Sequence, residues 1–436
     1  LLFIQKTHMS KSILLGLNEL NFEYIVGYCK KGLLPTFNRL INTYGYVQTT
    51  SESEYKLLEP WIQWVTVHTG KTYNEHKVFR LGDIVEREDL VQIWEEMEKK
   101  GKKVGAVSPF NAANRLNIPS FFVPDPWTLT PPSGSWLIRK LALAVRQSVN
   151  DNAQERLQPA SIAAILTSMA TYIPFTRYAH YFNLATAKGK VGMKAIVLDS
   201  LLADVFMHQW KKHKPDFSSL FLNSGAHIQH HYLFNSAIYE GTLKNPEWYC
   251  PKEEDPLLAI LTEYDKILNR LDAEGVKLYI ATGLHQQPHH HTTFYWRLKE
   301  HAEFLGLIGI KYKSVVPRMS RDFMIEFDNN EDALAAEKIL ESYVSQGDEK
   351  EIFEVDNRGN SLFVELIYPN NIEDDFSIKS SIGAPTVNEF KKRIAFVAIK
   401  NGEHHGVGYF MTNFKHAYPT EMPLAQLHDI LLESVN

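Results

Sequence analysis

A chain of 436 residues, 44% hydrophobic and 22% charged, is long enough to bury a large core and has an ordinary globular composition. Its net charge of −5 excludes a broadly basic surface of the kind that binds nucleic acid or anionic membrane, although a local basic patch would not register in that sum. Two cysteines, Cys29 and Cys250, are too few for a disulfide framework or a cysteine zinc site and fit a reducing, cytoplasmic setting.

No run reaches the roughly 20 apolar residues of a membrane span. The leading LLFIQ is too short for a signal-peptide core, and Met9 opens a more natural start, so residues 1–8 are set aside. Residues 12–17 (SILLGL) read as a buried strand and residues 22–30 as a helix. A second helix starts near Pro35, which is tolerated in a first turn. The stretch 61–69 leads into a Thr-Gly turn at Gly70, residues 90–100 form an amphipathic helix, and 103–108 (KVGAVS) is the next strand. Between about 127 and 190 the pattern weakens into helical patches and Pro- and Ser-rich loops, which reads as a helical insertion near the site. Regular alternation then returns with a helix over 193–213, a strand over 217–223, a helix over 257–271 and a strand over 277–282. This alternation predicts an α/β fold, a mainly parallel sheet sandwiched by helices.

Residues 310–392 change character. Strands over 323–327, 351–355 and 361–367 with a helix over 330–345 make a small inserted α+β subdomain. The core thus spans 9–309, and the chain returns to it over 393–436 with strands at 394–399 and 408–412 and a closing helix at 424–435.

Four blocks carry a family resemblance. They are ILLGLNEL with LLPTFNRL, then PWIQWVTVHTGKTYNEHKVF, then KPDFSSLFLNSGAHIQHHY, then KLYIATGLHQQP, and GEHHGVGYF closes the set. In order and spacing they resemble the alkaline phosphatase superfamily, on the type I phosphodiesterase/nucleotide pyrophosphatase branch. The resemblance implies an alkaline-phosphatase-like fold with its site at the carboxyl ends of the parallel strands. It also implies two divalent ions held by Asp and His and a Thr or Ser nucleophile.

Carried over residue by residue, most of that ligand set is replaced. The first-strand Asp falls on Asn18, next to Glu19, and the nucleophile falls on Pro60, next to Glu59. The Asp of Asp-x-x-x-His falls on Ala226, but its His is kept as His230. The later Asp-His pair falls on Gly283-Leu284, with His285 one position beyond, and the final His is kept as His404. What remains implies at most a mononuclear site, zinc being the leading ion, on His230 and His404 with His227, His285 or Glu19 as a third ligand, or else no metal at all.

The expected roles are therefore metal binding for His230 and His404, catalysis for Glu19, Glu59 and His285, and substrate contact for Asn18, Gln63, Trp64 and His227. Bland readings stand beside these. Glu59 at a helix start is also a natural cap, Trp61 and Trp64 at helical spacing are ordinary core residues, and His289–His291 read as a solvated loop. The leading expectation is a hydrolase or group-transfer enzyme acting on a phosphate-, sulfate- or sugar-containing small molecule or glycan, with no nucleic-acid or membrane partner. The alternatives are a non-catalytic binding pseudoenzyme, or a metal-independent glycosidase using Glu19 and Glu59. Oligomeric state is left open.

Overall fold

The computed structural model describes residues 11–150, 158–187, 190–318 and 321–435, and the expected start at Met9 lies outside them. Strand β1 (Ser12–Leu17) is buried at all six positions, as a strand covered on both faces must be. Glu19 follows in the left-handed region at φ 58°, and Asn21 then caps α1 (Phe22–Lys30) by accepting from the Glu23 N–H. Helix α2 (Pro35–Tyr44) opens on its proline, and β2 (Val47–Thr50) leads to α3 (Pro60–Thr69). Helix α3 ends at Gly70 with φ 67°, a left-handed position that glycine fills without a Cβ penalty.

Helices α4 (Tyr73–His76) and α5 (Ile93–Lys99) precede β3 (Val104–Val107) and β4 (Phe121–Val123). The expected helical insertion contains α6 (Trp136–Asn150), α7 (Pro159–Tyr172) and α8 (Tyr178–Thr186). The chain continues through α9 (Met193–His213), β5 (Phe217–Leu222), α10 (Ser224–Tyr232), α11 (Pro256–Asp272), β6 (Lys277–Ala281) and β7 (His285–Leu298). Residues 289–291, expected as a loop, lie within β7.

The protein divides into two compact units, the second built around residues 289–401 and the first from the chain on either side of it. The second unit is wider than the 310–392 stretch marked by the change in sequence pattern. It holds α12 (His301–Leu307), β8 (Ser314–Pro317), β9 (Asp322–Glu326), α13 (Asn330–Glu341), β10 (Tyr343–Ser345), β11 (Phe353–Asn357), β12 (Ser361–Leu366) and β13 (Ile378–Ser380). β11, β12, β9 and β8 form an antiparallel sheet in that order, and Phe323, Ile325, Leu340 and Val364 sit in its core. Helix α13 stops at Glu341 rather than 345, because Tyr343–Ser345 extends to pair with β13.

Strand β14 (Ile394–His405) pairs with β7 in a separate two-stranded sheet. The apolar run 394–399 therefore does not rejoin the central sheet as expected; a short apolar run declares a strand but not its neighbour. The strand that does return is β15 (Val407–Thr412), followed by β16 (Glu421–Pro423) and α14 (Gln426–Glu433).

The central sheet has eight strands in the order β16-β2-β15-β6-β1-β5-β3-β4, and only β15 runs against the others. Register places Leu17 beside Leu222 and Gly16 beside Ala281, so the chain leaves β1, β5 and β6 along one rim. Helix α3 is locked to this sheet by aromatic packing: Trp64 meets Phe221 edge-on at 5.0 Å, and Phe221 stacks on Phe110 at 5.0 Å. Among the described residues, no helix is long and apolar enough to cross a membrane.

Candidate functional site

The rim at the carboxyl ends of the parallel strands collects the ionisable side chains, as open α/β sheets commonly arrange. Because β15 is antiparallel, the turn between β14 and β15 returns to that same rim and delivers His404 there. Helix α10, which begins directly after β5, delivers His230 on its last turn. Glu19 stands at the end of β1.

The Glu19 backbone is held from three sides. Its N–H donates to the Thr282 carbonyl at 3.0 Å, and its carbonyl accepts from the Gln286 N–H at 3.1 Å and from Gln229 Nε2 at 2.8 Å. This clamping sustains the left-handed φ that a glutamate rarely adopts. The carboxylate is 2% exposed. Oε1 accepts from Asn18 Nδ2 at 2.7 Å, and Oε2 accepts from Gln286 Nε2 at 2.6 Å. Oε2 is also 3.0 Å from His230 Nε2 and 3.1 Å from His404 Nε2. Burial alone would raise the carboxyl's pKa. The charges of His404 and His230 and their hydrogen bonds outweigh that and hold it well below the usual carboxylate range.

Two imidazole Nε2 atoms and one carboxylate oxygen thus converge, and the three ligand atoms lie within 4.8 Å of one another. The two rings meet edge to face with centroids 5.1 Å apart. Behind His404, Glu59 Oε2 is 3.6 Å from Nδ1. A carboxylate on that side favours the tautomer with its proton on Nδ1, which leaves Nε2 free to bind an ion. The donor set, two imidazole nitrogens, one carboxylate oxygen and no thiolate, could hold a single metal ion. Of the three candidates for a third ligand, Glu19 clusters with the two imidazoles, while His227 and His285 lie outside the cluster.

The residues do not fit a dinuclear centre. Asn18 is fully engaged, with Nδ2 donating to Glu19 and Asn223 and Oδ1 accepting from Trp64 Nε1 at 2.8 Å. Pro60 is the first residue of α3 and offers no nucleophile. Ala226 is buried, and Gly283 sits at φ 76° with no side chain to contribute.

The residues expected to contact substrate are placed differently. Asn18, Gln63 and Trp64 are each 1% exposed. Asn18 orients Glu19, Trp64 orients Asn18, and Gln63 Nε2 donates to the Leu57 carbonyl. His227 is exposed, with its ring 4.8 Å from that of His231 one turn along α10. His285, expected in catalysis, is buried with Nδ1 2.6 Å from the Val407 carbonyl and its ring 4.7 Å from that of His405. Burial depresses its pKa to about 4, against the pull of the Val407 carbonyl. Glu59 makes no capping hydrogen bond to α3; its carboxylate goes to His404 instead.

Sequence reasoning missed Gln286 and Gln229, which fix the side chain and the backbone of Glu19. Glutamine carries no ionisable signature, and only the position of Gln286 beside His285 marked the block. Gly402 was missed too. A Cβ there would stand 2.0 Å from Gln286 Oε1 and 2.8 Å from the Gln229 carbonyl, so both glutamines depend on that glycine.

No family model matches the chain, and no curated protein matches it. Solved structures similar to it include phosphonoacetate hydrolase from Sinorhizobium meliloti 1021 in complex with phosphonoformate, at 10% identity and a TM-score of 0.43 over 98% of this chain and 96% of that one. Human ectonucleotide pyrophosphatase/phosphodiesterase 5 is 11% identical with a TM-score of 0.44 over 98% of this chain and 94% of its own. The murine form is 10% identical with a TM-score of 0.42 over 98% and 95%.

Proposed function

We propose that this chain is a metal-dependent hydrolase or group-transfer enzyme that holds one divalent ion, zinc before others, on Glu19, His230 and His404. Its substrate in this reading is a phosphate-, sulfate- or sugar-containing small molecule or glycan. The observation that carries the proposal is the convergence of His230 Nε2 and His404 Nε2 on Glu19 Oε2 at 3.0 and 3.1 Å. A bound ion supplies Lewis acidity, polarising a substrate oxygen and making water more acidic. Glu19 is the anionic ligand, its oxygens already oriented by Asn18 and Gln286. Glu59 is 31% exposed at its side chain, so it reaches both His404 and solvent. It is the group placed to accept a proton from attacking water.

Glu19 speaks against the metal-independent glycosidase. A general acid needs a raised pKa, and this carboxylate is driven the other way with both oxygens occupied. The pseudoenzyme reading draws its support from Pro60 in place of a nucleophile. A water nucleophile answers that objection. Cys29 and Cys250 are buried, with thiols pushed up by burial to about 11 and about 12, and such inert thiols are in keeping with a cytoplasmic location.

The test is turnover of chromogenic aryl phosphomonoester, phosphodiester and sulfate substrates by purified protein with and without chelator. Activity on at least one, abolished by chelator and restored by zinc, is the expected result. Activity that survives chelation contradicts the proposal, and inactivity on every ester with the ion bound favours the pseudoenzyme.

A further inference from the structure

Residues 129–194 differ in charge from the rest of the chain. They contain eight basic residues against two acidic ones, a net of +6, whereas the whole chain is −5, so the remaining residues carry −11. The same stretch also carries exposed large apolar side chains: Leu129 at 71%, Trp136 at 65%, Leu166 at 60%, Phe175 at 84% and Phe182 at 68%.

Hydrogen bonds bring Trp136 and the segment before Phe175 to one end of a helical pair. The Ser135 hydroxyl, just before α6, is 3.2 Å from the Tyr172 hydroxyl at the end of α7, and Ser161 near the start of α7 bonds Gln147 near the end of α6. The two helices are therefore antiparallel neighbours, and Trp136 lies beside the segment that leads from α7 into Phe175. The Phe175 ring packs on Tyr178 at 5.7 Å, and Tyr178 and Phe182 share a face of α8 at i, i+4 spacing. On α6 the exposed positions Trp136, Arg139, Lys140 and Leu143 also form one stripe, with the Lys140 ammonium over the Trp136 ring. Helix α7 has no charged residue, and most of its positions are exposed or half-exposed.

Part of the positive charge is spent internally. Arg177 pairs with buried Asp204 and Glu263 at 2.8 and 3.2 Å, which fastens the start of α8 to α9 and α11. Arg139, Lys140, Lys190 and Lys194 remain exposed.

We propose that this segment is a membrane-docking surface, with aromatic and leucine side chains entering the interface of an anionic bilayer and the lysines and arginines meeting its headgroups. The pairing of exposed aromatics with exposed basic residues is the composition of interfacial anchors. Among the described residues no helix of the segment is long enough to span a bilayer, α7 having 14 residues, so the mode is lying on the surface. A second copy of this chain is the poorer occupant, since two faces of like net charge would meet.

The experiment is co-sedimentation of the full chain with vesicles of phosphatidylcholine alone and with about a third phosphatidylserine, at low and physiological salt. The expected result is binding to the anionic vesicles only, weakened by salt. Phe175→Ser combined with Phe182→Ser should reduce it by at least tenfold, and Arg139→Glu combined with Lys140→Glu by a similar factor. All four positions are solvent-facing, and unchanged thermal melting shows that the variants fold. Equal recovery with and without vesicles overturns the proposal. So does a wild-type dimer that the Phe175→Ser/Phe182→Ser variant converts to monomer, since the face would then be an interface between copies.

Discussion

Glu59 Oε2 lies 3.6 Å from His404 Nδ1, so the two carboxylates of the site address opposite nitrogens of a single imidazole. Glu19 takes Nε2 and Glu59 takes Nδ1. In the proposed metal site Glu19 is a ligand and Glu59 supplies the charge behind the ring.

Glu59→Gln removes the negative charge behind His404 while keeping its shape. Outer-shell carboxylates of this kind commonly contribute 10–100-fold to metal affinity, and a loss of that order is expected here with folding unchanged. Competition against a chromogenic chelator measures it. If Glu59 also serves as the base, kcat falls further than affinity does.

Trp64→Phe distinguishes a positioning role from a substrate platform. The indole N–H is the donor to Asn18 Oδ1, and losing it leaves a buried acceptor unpaired at a cost of about 1–3 kcal/mol. Chemical denaturation should show that loss together with weaker metal binding. A raised KM with unchanged stability would return Trp64 to the substrate surface.

Gly402→Ala tests the close approach behind the site. The new methyl would be driven into the Gln286 amide, which cannot move without releasing Glu19 Oε2. A loss of about 1–3 kcal/mol in stability is expected, as for overpacking in general. Glu19 loses its alignment with it, so metal affinity should fall in the same variant.

Asp199 gives the pH prediction. It is buried beneath the Tyr264 hydroxyl at 2.5 Å and the Ser224 N–H at 2.9 Å, and burial raises its pKa to about 6 despite those donors. A folded value above the unfolded one means that the native state holds more protons between roughly pH 4 and 6, so the contribution of this group declines as pH rises through that window. The slope is about 1.4 kcal/mol per pH unit. Asp199→Asn should therefore gain stability relative to wild type as pH climbs from 4 to 6, with a constant difference above that range. Parallel stability curves would show that Asp199 is ionised throughout.

The sheet was legible because buried strands announce themselves. SILLGL, FSSLFL and KLYIA are apolar runs bounded by turn signals, and the helices between them show period 3.6. Strands β2, β4 and β16 were not anticipated, being three or four residues long and lacking enough repeats to show a period. At the site, Glu19, Glu59, His230 and His404 were picked out because ionisable residues at strand ends are chemically conspicuous. That Asn18, Gln63 and Trp64 are buried was not legible, because sequence position gives proximity to a cleft and not the direction of a side chain. The position of His285 outside the cluster was hidden in a similar way, since one residue of offset along a strand turns a side chain to the opposite face.

The central claim is a single-ion site on Glu19, His230 and His404, and elemental analysis of purified chain after equilibration with zinc and removal of excess tests it most directly. The account predicts about one zinc per chain, the stoichiometry of a three-ligand open site. It also predicts close to none in Glu19→Gln, His230→Ala or His404→Ala, while His285→Ala retains the ion. Two ions per chain, or an ion that survives all three ligand substitutions, would contradict it, as would wild-type protein that takes up no zinc or other divalent metal.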